Sequence, residues 1–165
     1  MAPADIAVRA ALHRDISVLT GMARALAESF GEDPTRIDKD AIAGLLFGMD
    51  RWADALLAVD RDNRALGYVT FSRLFTPHDG ARSLWIGDLY VMASARGLGV
   101  AGALMRAVAK RARAQNCHAL VCPVDTGNKQ GQGFYGRIGL ALDPSRAVWR
   151  GGRKVIDDLA SGNGT

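Results

Sequence analysis

Seven residues, Arg96-Gly97-Leu98-Gly99-Val100-Ala101-Gly102, stand between an apolar run, Leu84 to Val91, and a helical pattern that reaches about Gln115. Strand, glycine-rich turn and helix, in that order, are the parts of a phosphate site. Successive backbone N–H groups point into one concavity, and the positive end of the helix dipole lies behind them. Glycine is needed because a Cβ would hold the anion off the backbone. Two other side chains could move protons. Tyr135, a phenol with pKa near ~10, can protonate a leaving group and be restored from solvent. Asp88, in the strand before the turn, can accept a proton or hold a cationic group. No metal site is expected: His13, His78 and His118 are scattered, and Cys117 and Cys122 flank the run His118 to Val121 at a spacing that fits neither zinc nor a disulfide framework.

Two nucleotide motifs compete for the turn. Gly97-x-Gly99-x-x-Gly102 matches a dinucleotide-binding fingerprint, which would also want an acidic residue at the end of the next strand. The next apolar run, His118 to Val121, ends instead in Cys122-Pro123, and too little chain follows for the rest of such a domain. A P-loop is excluded, because no Gly-Lys-Ser/Thr follows the glycines.

A third pattern fits better. Arg96-x-x-Gly99-x-Ala101 resembles the Arg/Gln-x-x-Gly-x-Gly/Ala signature of the GNAT-type N-acetyltransferase superfamily, and Asp88-Leu89-Tyr90-Val91 resembles the strand before it. Downstream, Asn128, Phe134-Tyr135 and Gly139 are similar to that family's Asn…(Phe/Leu)-Tyr…Gly segment in order and spacing. Together these motifs cover residues 84 to 139. The resemblance implies a mixed α/β GNAT fold, a mostly antiparallel sheet of about six or seven strands flanked by about four helices, forming one domain over 1–165.

It also implies acetyl-CoA as co-substrate and no metal. Arg96, Gly97, Leu98, Gly99, Val100, Ala101 and Gly102 would cradle its pyrophosphate. The backbones of Leu89, Tyr90 and Val91 would pair with the pantetheine arm. Asn128 would contact that arm, with a helix N-cap as its plainer role, and Phe134 would line the coenzyme or belong to the core. Tyr135 would protonate the departing thiolate. Asp88 matches a carboxylate of polyamine-type acetyltransferases, whose strand reads Glu-Asp-Leu-(Tyr/Phe)-Val; here the Glu position is Gly87, so Asp88 is read as an acceptor-site charge or water-mediated base, with a structural, hydrogen-bonded carboxylate as the alternative. A mid-strand glycine also suggests a bulge or a close backbone approach, which this strand needs if a ligand is to enter beside it. The acceptor, a small-molecule or protein amine, would be met by the region of Phe30, Glu32, Asp33, Phe47 and Trp52. A non-catalytic acyl-CoA-binding domain is the alternative, and a homodimer is compatible with either.

The elements that would position these residues read as follows. Ile6–Arg9 is a first strand; Asp15 is placed to cap a helix to about Ser29, and Asp38 a second through Phe47. Ala55–Val59 and Leu66–Leu74 are strands, and Thr76 to Gly80 is a hairpin loop into the strand Leu84–Val91. After the central helix come a buried strand at His118–Val121, a glycine-weakened helix from Asn128, a last strand pair at 140–142 and 147–149, an apolar element at Val155–Leu159 and a disordered tail at 161–165. Arg106, Lys110 and Arg113 share one helix face, read as solvated, with coenzyme steering as the functional alternative.

The 165 residues are 48% apolar and 23% charged, as in ordinary globular proteins. A net charge of +4 and a pI near 9.4 suit an anionic ligand. No basic stripe interleaved with aromatics points to nucleic acid. No signal peptide or ~20-residue apolar span points to a membrane, and the free thiols fit a reducing cytoplasm.

Overall fold

The computed structural model describes residues 6–78 and 80–162. The contacts divide the chain into two compact units, Met1–Cys122 and Pro123–Thr165. The first holds a five-stranded sheet in the order of the sequence: β1 (Ala7–Ala10), β2 (Asp54–Val59), β3 (Ala65–Thr76), β4 (Ala81–Val91) and β5 (Ala119–Val121). The first three pairings are antiparallel; β5 lies parallel to β4. Helices α1 (Ile16–Ser29) and α2 (Lys39–Phe47) precede β2, and α3 (Val100–Ala114) joins β4 to β5.

Strand alternation sends side chains to two faces, and each face finds a helical cover. Leu57 of β2 pairs with Tyr68 of β3, which pairs with Tyr90 of β4. This face packs with Leu19 and Met22 of α1 and Leu46 of α2 into one cluster. The other face carries Leu56, Val69, Phe71, Leu84 and Ile86, each at most 2% exposed. It receives α3, which buries Val100, Leu104, Met105, Val108 and Ala112 at 3.6-residue spacing and lays the Arg111 guanidinium 5.9 Å above the Phe71 ring.

Local signals behave unevenly. Asp38 caps α2, its Oδ1 accepting from the Ala41 N–H at 2.7 Å. Asp15 makes no such bond to α1; its carboxylate accepts instead from the Leu12 N–H and from both Nη atoms of Arg9, at 2.7–2.9 Å. That bidentate pair holds the Asp15 carboxyl below its ordinary range and ties the end of β1 to the start of α1.

In the second unit, α4 (Lys129–Arg137) starts at an N-cap, Asn128, whose Oδ1 accepts from the Gly131 N–H at 2.8 Å. It ends where the Leu140 N–H reaches the Tyr135 carbonyl at 3.0 Å, with Gly139 at φ 93°. The run Val155–Leu159, expected only as an apolar element, lies within α5 (Arg153–Ala160), with Arg153–Asp157 and Lys154–Asp158 ion pairs each spanning one turn.

Three expectations are corrected. The sheet has five strands among the described residues, not six or seven, and there are five α-helices, not about four. The pair at 140–142 and 147–149 does not form; Leu142, Val148 and Trp149 stand 74–94% exposed. Three-residue runs carry few ladder bonds, and here an Asx turn at Asp143-Pro144-Ser145 and the Gly151-Gly152 pair bracket them. The strand expected as buried at His118–Val121 is a three-residue edge with Ala119 exposed. Of the tail, Ser161 and Gly162 form a turn; 163–165 lie outside the described residues, as does Asp79 of the hairpin loop.

Leu104 is wholly buried between α3 and the sheet. Leu104→Ala is expected to lower the unfolding free energy by about 2–5 kcal/mol, the transfer and cavity cost of a core leucine, as read from the urea midpoint at unchanged slope.

Candidate functional site

The turn between β4 and α3 is built around backbone donors. Gly97 and Gly99 take φ of 78° and 84°, a left-handed conformation that a side chain resists, and alternate with Leu98 and Val100. No acceptor among the described residues takes the N–H of Gly97, Leu98, Gly99, Val100, Ala101 or Gly102; the first helical bond is Ala103 N–H to the Gly99 carbonyl, at 3.0 Å. A Cβ added at Gly97 or Gly99 would meet nothing within 4 Å, so the concavity is open. Six successive free donors at the positive end of a fifteen-residue helix are the arrangement that an anion cradle requires. Two cations flank it. Arg96 Nε donates to the Val91 carbonyl at 3.4 Å, and Arg106 bends back until its Nη1 lies 3.2 Å from where a Gly102 Cβ would stand. Lys110 and Arg113, on the same helix face, are exposed.

Beside the cradle, β4 runs on alone. β5 pairs with it only over Ser83–Trp85, so the edge from Ile86 to Val91 has no strand beside it among the described residues. On the opposite edge, the register between β3 and β4 slips: Val69 faces Leu89 and Phe71 faces Ile86, leaving Thr70 against both Gly87 and Asp88. This is the bulge that the mid-strand glycine marks. The Thr70 hydroxyl accepts the Asp88 N–H at 2.9 Å, and a Gly87 Cβ would stand 2.8 Å from that oxygen.

The bulge turns the Asp88 side chain to the face covered by α1 and α2. There Oδ2 accepts a hydrogen bond from the Tyr68 hydroxyl at 3.0 Å. Tyr68 is 2% exposed, and its ring lies 6.3 Å from that of Tyr90. Burial pushes the Asp88 carboxyl above its ordinary range; the Tyr68 hydrogen bond opposes this and the charge of Glu32 adds to it. Burial, then the Asp88 charge, pushes the Tyr68 phenol up in turn.

The sequence-identified residues thus fall into groups. Arg96 to Gly102, Leu89, Tyr90, Val91 and Asp88 lie together along β4 and the turn that follows it. Asn128, Phe134 and Tyr135 lie together on α4 of the second unit, where the Phe134 and Tyr135 rings meet edge to face at 5.2 Å. Of the acceptor region, Glu32 acts electrostatically on Asp88; Asp33 caps a short 3₁₀ turn; Phe30 and Trp52 are 52% and 77% exposed. Phe47 stacks edge-on to His13 and lines a cavity of about 380 Å³ with Arg51, Asp54, Arg73 and Arg111. A second cavity, about 610 Å³, is lined by residues from Arg73 to Phe75, Arg82, Ser83, Gln115 and Cys117. Neither cavity includes Asp88 or the cradle. Among the described residues no group of three His, Cys, Asp or Glu could hold a metal, and no helix is long and apolar enough to cross a membrane.

Tyr68 and Thr70 are the site residues that the sequence reading does not single out. Their alternation puts them on one face of a strand, but only the register brings them to Asp88.

A model described as the acetyltransferase (GNAT) family matches residues 19–140. The L-methionine sulfoximine/L-methionine sulfone acetyltransferases of Pseudomonas aeruginosa and Pseudomonas paraeruginosa are each 32% identical over 87 residues, 53% of this chain and 50% of theirs. The chain therefore spans about half the length of these curated relatives. A ribosomal-protein-alanine N-acetyltransferase from Brucella melitensis biovar Abortus 2308 superposes with a TM-score of 0.72 at 28% identity, over 89% of this chain and 99% of that one. An integron cassette protein from the mobile metagenome of V. cholerae shares the fold with a TM-score of 0.79 at 23% identity, over 94% and 98%.

Because the Thr70 hydroxyl occupies the space a Cβ would need, Gly87→Ala is expected to cost about 1–3 kcal/mol. In a Thr70→Ala background the same change should cost far less, a non-additivity that denaturant midpoints of the four proteins would show.

Proposed function

We propose that this chain, which belongs to the acetyltransferase (GNAT) family, moves an acetyl group from acetyl-CoA to a primary amine by direct attack in a ternary complex. The observation that carries this reading is the row of six unpaired amides from Gly97 to Gly102, at the positive end of α3 and at the foot of an unaccompanied strand edge. A pyrophosphate matches such a row in charge and in acceptor count. Arg96 and Arg106 add cationic flanks. The amide groups of a pantetheine arm suit the edge from Leu89 to Val91, in the manner of an added strand.

The chemistry assigned to the side chains follows. The neutral amine attacks the thioester carbonyl, whose oxygen is polarised by a backbone N–H of β4. The C–N bond forms, the C–S bond breaks, and the thiolate takes a proton from the Tyr135 phenol. The proton shed by the amine passes to Asp88, directly or through water. In this reading residues 1–165 act as one domain. The acyl donor is a cytoplasmic metabolite, which makes the cytoplasm the expected compartment.

Asp88, half-buried and lacking a cationic partner among the described residues, with Glu32 acting on it, favours an acceptor that brings its own positive charge. The Asp88-Leu89-Tyr90-Val91 strand leans towards diamines and polyamines. The relatives named for methionine sulfoximine and for ribosomal-protein alanine make amino acids and protein N-termini the competing classes. Thiol release from acetyl-CoA across a panel of diamines, aminoglycosides, amino acids and peptide N-termini tests both the activity and the class. Binding of the coenzyme without thiol release on any of them would leave a non-catalytic acyl-CoA-binding domain.

Acetyl-CoA should raise the melting temperature, since a ligand held only by the folded state stabilises it by mass action. Gly99→Val should abolish that rise, at a backbone cost of about 1–3 kcal/mol for a β-branched residue at positive φ; no rise for the unaltered protein at millimolar coenzyme would remove the binding assignment. Tyr135→Phe should leave acetyl-CoA affinity nearly unchanged and slow the chemical step by ~10²- to 10⁴-fold, a loss in kcat rather than KM. Equal single-turnover rates for the two proteins would make water the proton donor.

A further inference from the structure

We propose that Tyr68 is the positioning residue for Asp88, pinning one carboxylate oxygen so that the other receives the proton of the acceptor amine; this rests on the assignment of Asp88 above. Asp88 is held twice from β3. Its N–H goes to the Thr70 hydroxyl at 2.9 Å and its Oδ2 accepts from the Tyr68 hydroxyl at 3.0 Å. Residues two apart on β3 can clamp the backbone and side chain of one residue only because the bulge sets Gly87 and Asp88 against Thr70. No described residue donates to Oδ1. A carboxylate has about four lone-pair sites, so the half-buried Asp88, with a single side-chain donor, keeps sites for a proton or an ammonium group.

The hydroxyl of Tyr68 also has no other explanation. Its ring packs in the cluster of Leu19, Met22 and Leu57, where phenylalanine would fill the same space. A buried hydroxyl is a liability unless it is paired, and its partner is the Asp88 carboxylate. The groups acting on this pair are Glu32, from the loop after α1, and Tyr90, from β4 itself; no cation acts on Asp88 from the elements packed against it. The neutral phenol thus supplies the stabilisation of the charged carboxylate that an arginine would give elsewhere, without the strong ion pair that would leave the carboxylate too weak a base. In the reaction Oδ1 takes the amine proton as the C–N bond forms, and the C–S bond breaks to give the coenzyme thiol.

The test is the pH dependence of kcat with the best amine, for the unaltered protein, Tyr68→Phe, Tyr68→3-fluorotyrosine and Asp88→Asn. A hydrogen bond to the ionised carboxylate lowers its pKa, so removing it should move the acid limb of the profile up by about one unit. The fluorinated phenol is a stronger donor and should move the limb down. KM for acetyl-CoA should stay unchanged in both. An acid limb that stays in place in both variants, while Asp88→Asn is inactive, overturns the positioning role and leaves Tyr68 a structural hydroxyl. Full activity of Asp88→Asn overturns the assignment of Asp88 itself, a distinguishable result. Should Tyr68→Phe fail to fold, the fluorinated protein, which keeps ring and hydroxyl, decides the matter alone.

Discussion

One slip in register organises the candidate site. Where β3 and β4 pair, Thr70 stands against two residues instead of one. Carried on without a slip from the Phe71–Ile86 pair, the ladder would send residue 88 to the face that α3 covers, opposite Val69. The extra residue turns the Asp88 carboxylate to the other face, towards Tyr68, and fastens its backbone to the Thr70 hydroxyl. The residue that makes room is Gly87, the position where the polyamine-type strand has a glutamate. The departure that weakens the resemblance at this point is therefore also what the local packing requires.

The second constraint is electrostatic. A helix begins with N–H groups that its own backbone cannot satisfy, and α3 gathers them with the amides of the preceding turn into one open concavity. Nothing about the burial of α3 demands this arrangement. Val100, Leu104, Met105, Val108 and Ala112 seat the helix along one face from its first turn to its last, while the N–H groups of that first turn point along the axis and stay out of the core contact. A core contact and a donor row on the same helix divide the labour: the first fixes the axis, the second is displayed where that axis points.

The strand, glycine turn and helix were legible from sequence because their requirements are local: glycines at fixed offsets, a strand before and a helix after. The Asn128 cap, the weak helix behind it and its end at Gly139 were legible for the same reason. The bulge was half legible, since Gly87 marks it but does not say which residue lies across. Tyr68 and Thr70 were not legible as site residues, because their roles depend on pairing with a strand about twenty residues away. Asp15 stands at the N-cap position of α1 as its place in the sequence suggests, but its side chain makes no cap bond, because the bidentate claim of Arg9 on it is a contact between elements, which no local pattern announces. The strand pair expected at 140–142 and 147–149 failed for the reverse reason: short apolar runs look like strands whether or not an edge is there to receive them.

The bare stretch of β4 has one more consequence. A sheet edge with unsatisfied amides invites a second chain to add a strand, and an edge of Ile86, Leu89, Tyr90 and Val91, with neither proline nor lysine, is an inviting one. A bulge is one of the ways such edges are blunted, because it twists the strand away from the flat geometry that self-pairing needs. The kink that aims Asp88 thus also twists this edge away from the flat geometry that pairing between copies needs.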